Sequence, residues 1–311
     1  MAGEDNATAL LAELLKLLDE DGYSFTAITP ATHARVLERR RGELAGDLRD
    51  VLGWSMEFER GLLSGPILTL LEESDSIEQG DTGLRSKLRV AELGGRLFLH
   101  SAYPTSGDQA VFFGPDTYRF VRFLEQQLAD EPVDCLVDYG AGSGAGGIAA
   151  ASLVEPARTV LLDSNAQALR LAEANALAAG ASVELVHGDT LAAVEGAIDL
   201  IIANPPFIAD PAGREYRDGG GIGIDVSLQW ARDSVGRLAE GGRMLLYTGS
   251  PIIAGEDQLL GGLAELVDTA DCTLSYQELD PDIFGEELEQ PAYAHAGVER
   301  IAAVGAVIRK P

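Results

Sequence analysis

Two short stretches of this chain carry residue types and spacings that can do chemistry. The first is Asn204-Pro205-Pro206-Phe207, which follows directly on the apolar run Leu200-Ile201-Ile202-Ala203. The run reads as a buried strand, and two prolines after it forbid continuation of the ladder and stiffen the chain. A stiff corner of this kind suits one problem in particular. The nitrogen of an amide or of an aromatic amine is a poor nucleophile because its lone pair is delocalised. If the Asn204 side-chain oxygen and the Pro205 carbonyl accept its N–H bonds, the nitrogen is fixed in line with an electrophile. Phe207 then offers a ring to the flat face of the target. Orientation alone is worth roughly 7–11 kcal/mol of barrier, and no dedicated base is needed because the proton can leave afterwards. Read in isolation, the same four residues are a Pro-Pro turn with a capping Asn and a core Phe.

The second stretch is Asp138-Tyr139-Gly140-Ala141-Gly142-Ser143-Gly144, which joins an apolar strand to a helix of small residues. Glycines allow a sharp turn and close approach of a ligand to the backbone, and a helix start presents free N–H groups. Gly142-x-Gly144-x-x-Gly147 also satisfies the dinucleotide fingerprint, so a nicotinamide cofactor and an oxidoreductase are the rival reading. Two carboxylates favour a sulfonium nucleoside, S-adenosylmethionine (SAM), instead. Asp138, just ahead of the glycines, suits the cationic methionine portion and opposes a pyrophosphate. Asp189, in His187-Gly188-Asp189, ends a later strand where an adenine amino group can donate to it. Asp163, at another strand end, suits ribose hydroxyls in either case. Each carboxylate taken singly is also an ordinary helix cap or loop charge.

These residues must be positioned by a sheet. From Val133 onward short apolar strands alternate with helices: Cys135–Asp138, Val160–Asp163, Val183–His187, Leu200–Ala203 and Met244–Thr248. That alternation predicts an α/β domain with a mostly parallel sheet covered on both faces. Two further strands, around 272–279 and 300–308, flank a Pro, Gly and Glu rich stretch without helical period. A helix opening at Gly114-Pro115-Asp116 and running to about Leu128 leads in. Ahead of it, leucines at 10, 11, 14, 15, 17 and 18 predict an amphipathic helix over 5–20 behind Asp5 or Asn6. Thr29-Pro30 opens a second helix to about Arg41, and a third covers 43–52. Residues 86–102 read as a β-hairpin about Gly94-Gly95. The expected division is an N-terminal substrate-recognition domain over 1–110, of winged-helix-like type, and a catalytic domain over 111–311.

The chain has 311 residues, nearly half of them apolar, and a formal charge of −27. Residues 1–110 hold 11 basic against 19 acidic side chains, and 111–311 hold 12 against 31. Such a field repels phosphate and disfavours non-specific binding to nucleic acid, whereas it suits a cationic ligand. Acidity is also common as plain solubility. No signal peptide or membrane span is evident, which predicts a cytoplasmic protein. Cys135 and Cys272 sit in apolar runs as small buried hydrophobes, and the four histidines show no metal-ligand spacing.

On these motifs, residues from about 112 to 311 resemble the class I SAM-dependent methyltransferases with an Asn-Pro-Pro-aromatic motif, the group of the release-factor glutamine and small-domain RNA base methyltransferases. The resemblance implies a seven-stranded Rossmann-like sheet with a reversed final hairpin. It implies SAM contacts at Gly140, Gly142, Gly144, Asp163 and Asp189, beside Asp138, and target-nitrogen contacts at Asn204 and Phe207. Phe207 stands where the glutamine enzymes carry Tyr and is similar to the guanine-modifying relatives, and the loop from Tyr216 to Asp225 matches that of the glutamine enzymes only in part. The expected acceptor is therefore a protein glutamine, a nucleobase amino group or a small molecule, with no membrane partner. A non-catalytic binding module on the same fold is the alternative. Pro206, Arg214 and Arg217 are expected on the acceptor side. Phe112, Phe113 and Gly114 either close over the cofactor or pack between domains. Arg35, Arg39, Arg40 and Arg41 form a dense basic cluster, with Arg35 and Arg39 on one helix face, that pairs with Glu38 and Glu43 as a solvated face or contacts RNA phosphate or an acidic protein patch.

Overall fold

The computed structural model describes residues 2–105, 107, 109–128, 132–210, 213, 214 and 216–311, with side chains from residue 6 onward. The chain forms two compact units that do not divide it at a single point. One comprises Met1–Tyr118, Gly142–Ala149 and Asn165–Val183; the other comprises Arg119–Ala141, Ala150–Ser164 and Glu184–Pro311.

The first unit begins with α1 (Ala2–Glu20), α2 (Pro30–Arg39), α3 (Leu48–Leu52) and α4 (Gly65–Glu73). Two separate two-stranded antiparallel sheets follow, β1 (Ile77–Gln79) with β2 (Leu84–Ser86) and β3 (Leu88–Leu93) with β4 (Arg96–Ser101). The leucine stripe of α1 buries Leu11, Leu14, Leu15 and Leu18 against Leu171 and Ala174 and the hairpin residues Val90 and Leu99. Each such side chain contributes about 1.5–3 kcal/mol by leaving water. Thr29 caps α2 by accepting from the Thr32 amide at 3.2 Å, with Pro30 in the first turn. The third helix is shorter than expected. Asp47 caps it late, and Ala45 donates instead to the Glu57 carbonyl at 2.7 Å. Gly94 and Gly95 take φ of +59° and +73°, as the tight turn of β3–β4 demands.

Next come α5 (Pro115–Gln127), β5 (Cys135–Tyr139), α6 (Ala145–Val154), β6 (Arg158–Asp163), α7 (Ala166–Ala179), β7 (Glu184–His187), β8 (Ile198–Ala203), α8 (Asp225–Arg237) and β9 (Leu238–Ile253). The chain closes with β10 (Glu256–Asp257), α9 (Gln258–Thr269), β11 (Thr273–Asp280), α10 (Pro291–Ala296) and β12 (Val298–Arg309). The second unit is built on one sheet in the order β11-β12-β9-β8-β5-β6-β7, to which β10 adds a short antiparallel edge on β9. The strands from β7 to β9 are parallel, whereas β12 and β11 return antiparallel. This is the expected Rossmann-like methyltransferase sheet with its reversed final hairpin. One apolar layer, with Val137, Tyr139, Ile201 and Met244, lies on one face, and another, with Leu136, Ile202, Leu245 and Tyr247, on the other. The stretch between the last strands differs from expectation: Pro291 opens α10 there, behind a 3₁₀ turn at Gly285–Glu289. Among the described residues no helix is long and apolar enough to cross a membrane.

Candidate active site

Strand order decides where a ligand can sit. From β5 the chain goes outward to β6 and β7, then returns to place β8 on the other side of β5. Such a switch point opens a crevice at the carboxyl ends of the two central strands. Tyr139 is in register with Leu162 and with Ala203, and Asp163 with His187. Gly140, Asp163 and Asn204 therefore leave the sheet at one level on three adjacent strands, roughly 5 Å apart. The two stretches singled out by chemistry meet at one edge.

The glycine turn is shaped by the backbone and by one aromatic side chain. The amides of Gly140 and Ala141 both donate to the Leu162 carbonyl, at 2.8 and 3.0 Å, which swings the chain over β6. Gly140 has φ +74°, and a Cβ there would lie 2.2 Å from the Trp230 ring. Trp230, from α8, stacks on Tyr139 with centroids 4.0 Å apart and planes 12° from parallel. Tyr139 is buried and donates its hydroxyl to the Asp189 carbonyl at 3.0 Å; burial, then the Asp233 and Asp189 charges, push its phenol up, so it stays a neutral donor. Tyr139 is thus a core aromatic, and Gly140 is required by Trp230. Gly142, at φ +54°, has open space where its side chain would be, room for a ligand to reach the backbone. Asp138 is buried, on the opposite face of β5 from Tyr139, and Asp189 is exposed.

At the neighbouring corner the Asn204 Oδ1 is buried and has no hydrogen-bond partner. A buried acceptor left in that state costs about 1–3 kcal/mol. Phe207 is 8% exposed, and three glycines make its position possible. A Cβ on Gly249 of β9 would stand 2.4 Å from its ring, one on Gly219 2.7 Å from its Cα, and one on Gly223 2.3 Å from its carbonyl oxygen. The glycine-rich loop is laced to the motif by Ile208 donating to Arg217 (3.1 Å) and Gly219 donating to Ile208 (2.7 Å). The segment after β11 closes the other side: the Phe284 ring tilts against Phe207 at 5.9 Å, and Tyr293 accepts from the Ala209 amide at 2.8 Å.

Arg214 and Arg217 are spent inside this framework. Arg214 grips Asp210 with two bonds of 2.6 and 2.8 Å, and Arg217 pairs with Glu287, itself 8% exposed. They brace the loop. Past the end of α2, Arg40 pairs with Asp50 and Glu43, and Arg41 with Glu38. Phe113 is buried in the first unit, stacked on His100 at 5.1 Å. Trp230, Phe284 and Tyr293 escaped the sequence reading because they approach the motif from elements tens of residues away. The run Gly219-Gly220-Gly221 and the lone Trp in α8 were the available signals.

Residues 109–251, which hold both corners, match the family model described as the methyltransferase small domain. The matched segment covers less than half of the chain. It lies within the class I superfamily, whose cofactor is SAM. The chain is 29% identical over 176 residues to the release factor glutamine methyltransferase of Deinococcus radiodurans, covering 52% of this chain and 63% of that protein. It is 35% identical over 158 residues to the one of Cereibacter sphaeroides, covering 46% and 54%. The matches thus span less than two thirds of these two relatives. The Bradyrhizobium diazoefficiens protein of the same name aligns over 269 residues at 28% identity, 79% of this chain and 90% of that one. Among solved structures, PH0793 from Pyrococcus horikoshii superposes with a TM-score of 0.51 at 10% identity over 78% of this chain and 81% of its own, a likeness of fold.

Proposed function

We propose that this chain is a SAM-dependent N-methyltransferase acting on a planar nitrogen, with a protein glutamine amide as acceptor. The observation that carries the reading is the unpartnered Asn204 Oδ1, held one strand from the glycine turn. SAM would be held by Gly140, Gly142 and Gly144, with Asp138 toward its cationic portion, Asp163 toward the ribose and Asp189 toward the adenine. The open space at Gly142 and the row of carboxylates at the sheet edge fit that group. When bound, it supplies an activated methyl group.

The chain's own residues do the rest. The Asn204 Oδ1 and the Pro205 carbonyl accept the two N–H bonds of the acceptor, which turns its lone pair out of conjugation. Pro206 stiffens the corner, and Phe207 bounds the amide plane. The nitrogen's proton leaves to water after transfer, so no base is needed. A slim side-chain amide suits a ring already packed against Gly249 and Phe284 better than a base needing a free stacking face. The names of the curated relatives support the same acceptor, as does the charge of −27, which opposes nucleic acid.

The test has two steps. S-adenosylhomocysteine (SAH), and not NAD(H), should raise the melting temperature; the reverse result sinks the cofactor reading. Labelled SAM incubated with cell extract should then mark the protein fraction. Label in RNA or in small molecules instead would overturn the acceptor while leaving the reaction class standing.

A further inference from the structure

One fully buried amide in the middle of α7 is used by nothing described so far. Asn175 is 0% exposed. Asparagine is a poor helix interior residue, because its side chain competes for backbone bonds. Here it makes three bonds outside its own helix. Its Oδ1 accepts from the Leu99 amide at 2.8 Å, and its Nδ2 donates to the Leu99 carbonyl at 3.1 Å. The same Nδ2 donates to the Ser143 carbonyl at 2.8 Å. Leu99 lies opposite Val90 in β4, and both of its backbone groups are turned away from β3. The side-chain amide therefore stands in for a missing neighbouring strand, giving and taking one bond as a backbone would. Ser143 sits between Gly142 and Gly144, whose φ values are +54° and +77°.

We infer that Asn175 is a positioning residue for the cofactor: it fixes the Ser143 carbonyl, sets the path of the glycine turn and ties that turn to the N-terminal hairpin. The inference rests on the cofactor reading above. Gly142 and Gly144 are permissive at positive φ and would otherwise leave the peptide between them free to rotate. A buried Asn donating from α7 removes that freedom before any ligand arrives, which lowers the entropy lost on binding. It also makes the turn and β4 one hydrogen-bonded body, so that ordering either orders the other.

Asn175→Asp keeps the acceptor for the Leu99 amide and removes both donors; Asn175→Leu keeps the volume and removes all three bonds. Both should weaken SAH binding by about tenfold and raise KM for SAM, with kcat much less changed. A residue that only holds the fold together would lower the melting temperature and leave SAH affinity as in the parent, and that result overturns the inference. Should both variants fail to fold, hydrogen exchange on the unaltered protein decides. SAH should slow exchange at the turn and also at the Leu99 amide. Protection of the turn with Leu99 unchanged refutes the tie, whereas no binding of SAH at all refutes the cofactor reading instead.

Discussion

An acceptor oxygen shut away from water without a donor is a cost the fold carries, and Asn204 Oδ1 is in that position. Replacing Asn204 by Ala removes the acceptor and the cost together. The expected outcome is a melting temperature equal to or above the parent's, SAH affinity within about twofold, and kcat lower by about 10²-fold or more. Turnover that survives the substitution would remove Asn204 from the mechanism. The three glycines around Phe207 make a second residue-level case. Gly249 is not in the left-handed region, so Gly249→Ala strains no backbone and acts only through its contact with the Phe207 ring, 2.4 Å away. Overpacking of that kind should destabilise by about 1–3 kcal/mol and impair turnover. Adding Phe207→Ala should restore much of the stability and none of the activity. A double-mutant cycle in denaturant measures the coupling; additive effects would mean the clash is relieved elsewhere.

Elements were legible to the extent that their sequence signal is local. The strands β5, β6 and β8 are largely buried and read as short, mainly apolar runs, and the leucine stripe of α1 repeats at helical spacing. Both motif corners could be placed at strand ends from sequence because Gly and Pro act on their own backbone. What was not legible depends on partners distant in sequence. The helix α10 spans only Pro291–Ala296, too short for a period to show, yet its Tyr293 hydroxyl accepts from Ala209, 84 residues away. The third helix looked longer than it is because nothing local announces that Ala45 bonds to Glu57. The arginines of the glycine-rich loop suggested an acceptor site, and only their carboxylate partners, Asp210 and Glu287, show them as braces. If the segment after β11 holds the motif corner, Tyr293→Phe orphans the Ala209 amide. It should cost about 1–3 kcal/mol in urea unfolding and lower kcat with little change in SAH affinity. An unchanged kcat in a destabilised variant would reduce the segment to scaffolding.

Over the whole molecule two electrostatic features pull in opposite directions. A net charge of −27 loads the folded state with self-repulsion that salt screens, the Debye length falling from about 30 Å at 0.01 M to about 3 Å at 1 M. Inside the first unit, His33 and His100 are buried beside Arg89, itself 4% exposed. Burial, and then the Arg89 charge, hold His33 down to about 4 and His100 well below the usual range. In the unfolded chain both protonate near 6.5. Stability from these histidines is therefore full above about pH 6.5 and drains away as pH falls toward 4, by up to about 3 kcal/mol for His33 alone. Acid also neutralises carboxylates and relieves the repulsion, which offsets the loss while the repulsion is unscreened. At pH 7 the melting temperature should accordingly rise between about 0.01 and 0.5 M NaCl. Between pH 7 and 5 it should fall more steeply at the higher salt, where the offset is gone and only the histidine loss remains. His33→Gln should flatten that acid slope whatever it does to the melting temperature at pH 7. A slope equal at both salt concentrations, or unaffected by the substitution, would show that the acid response originates elsewhere than in this buried pair.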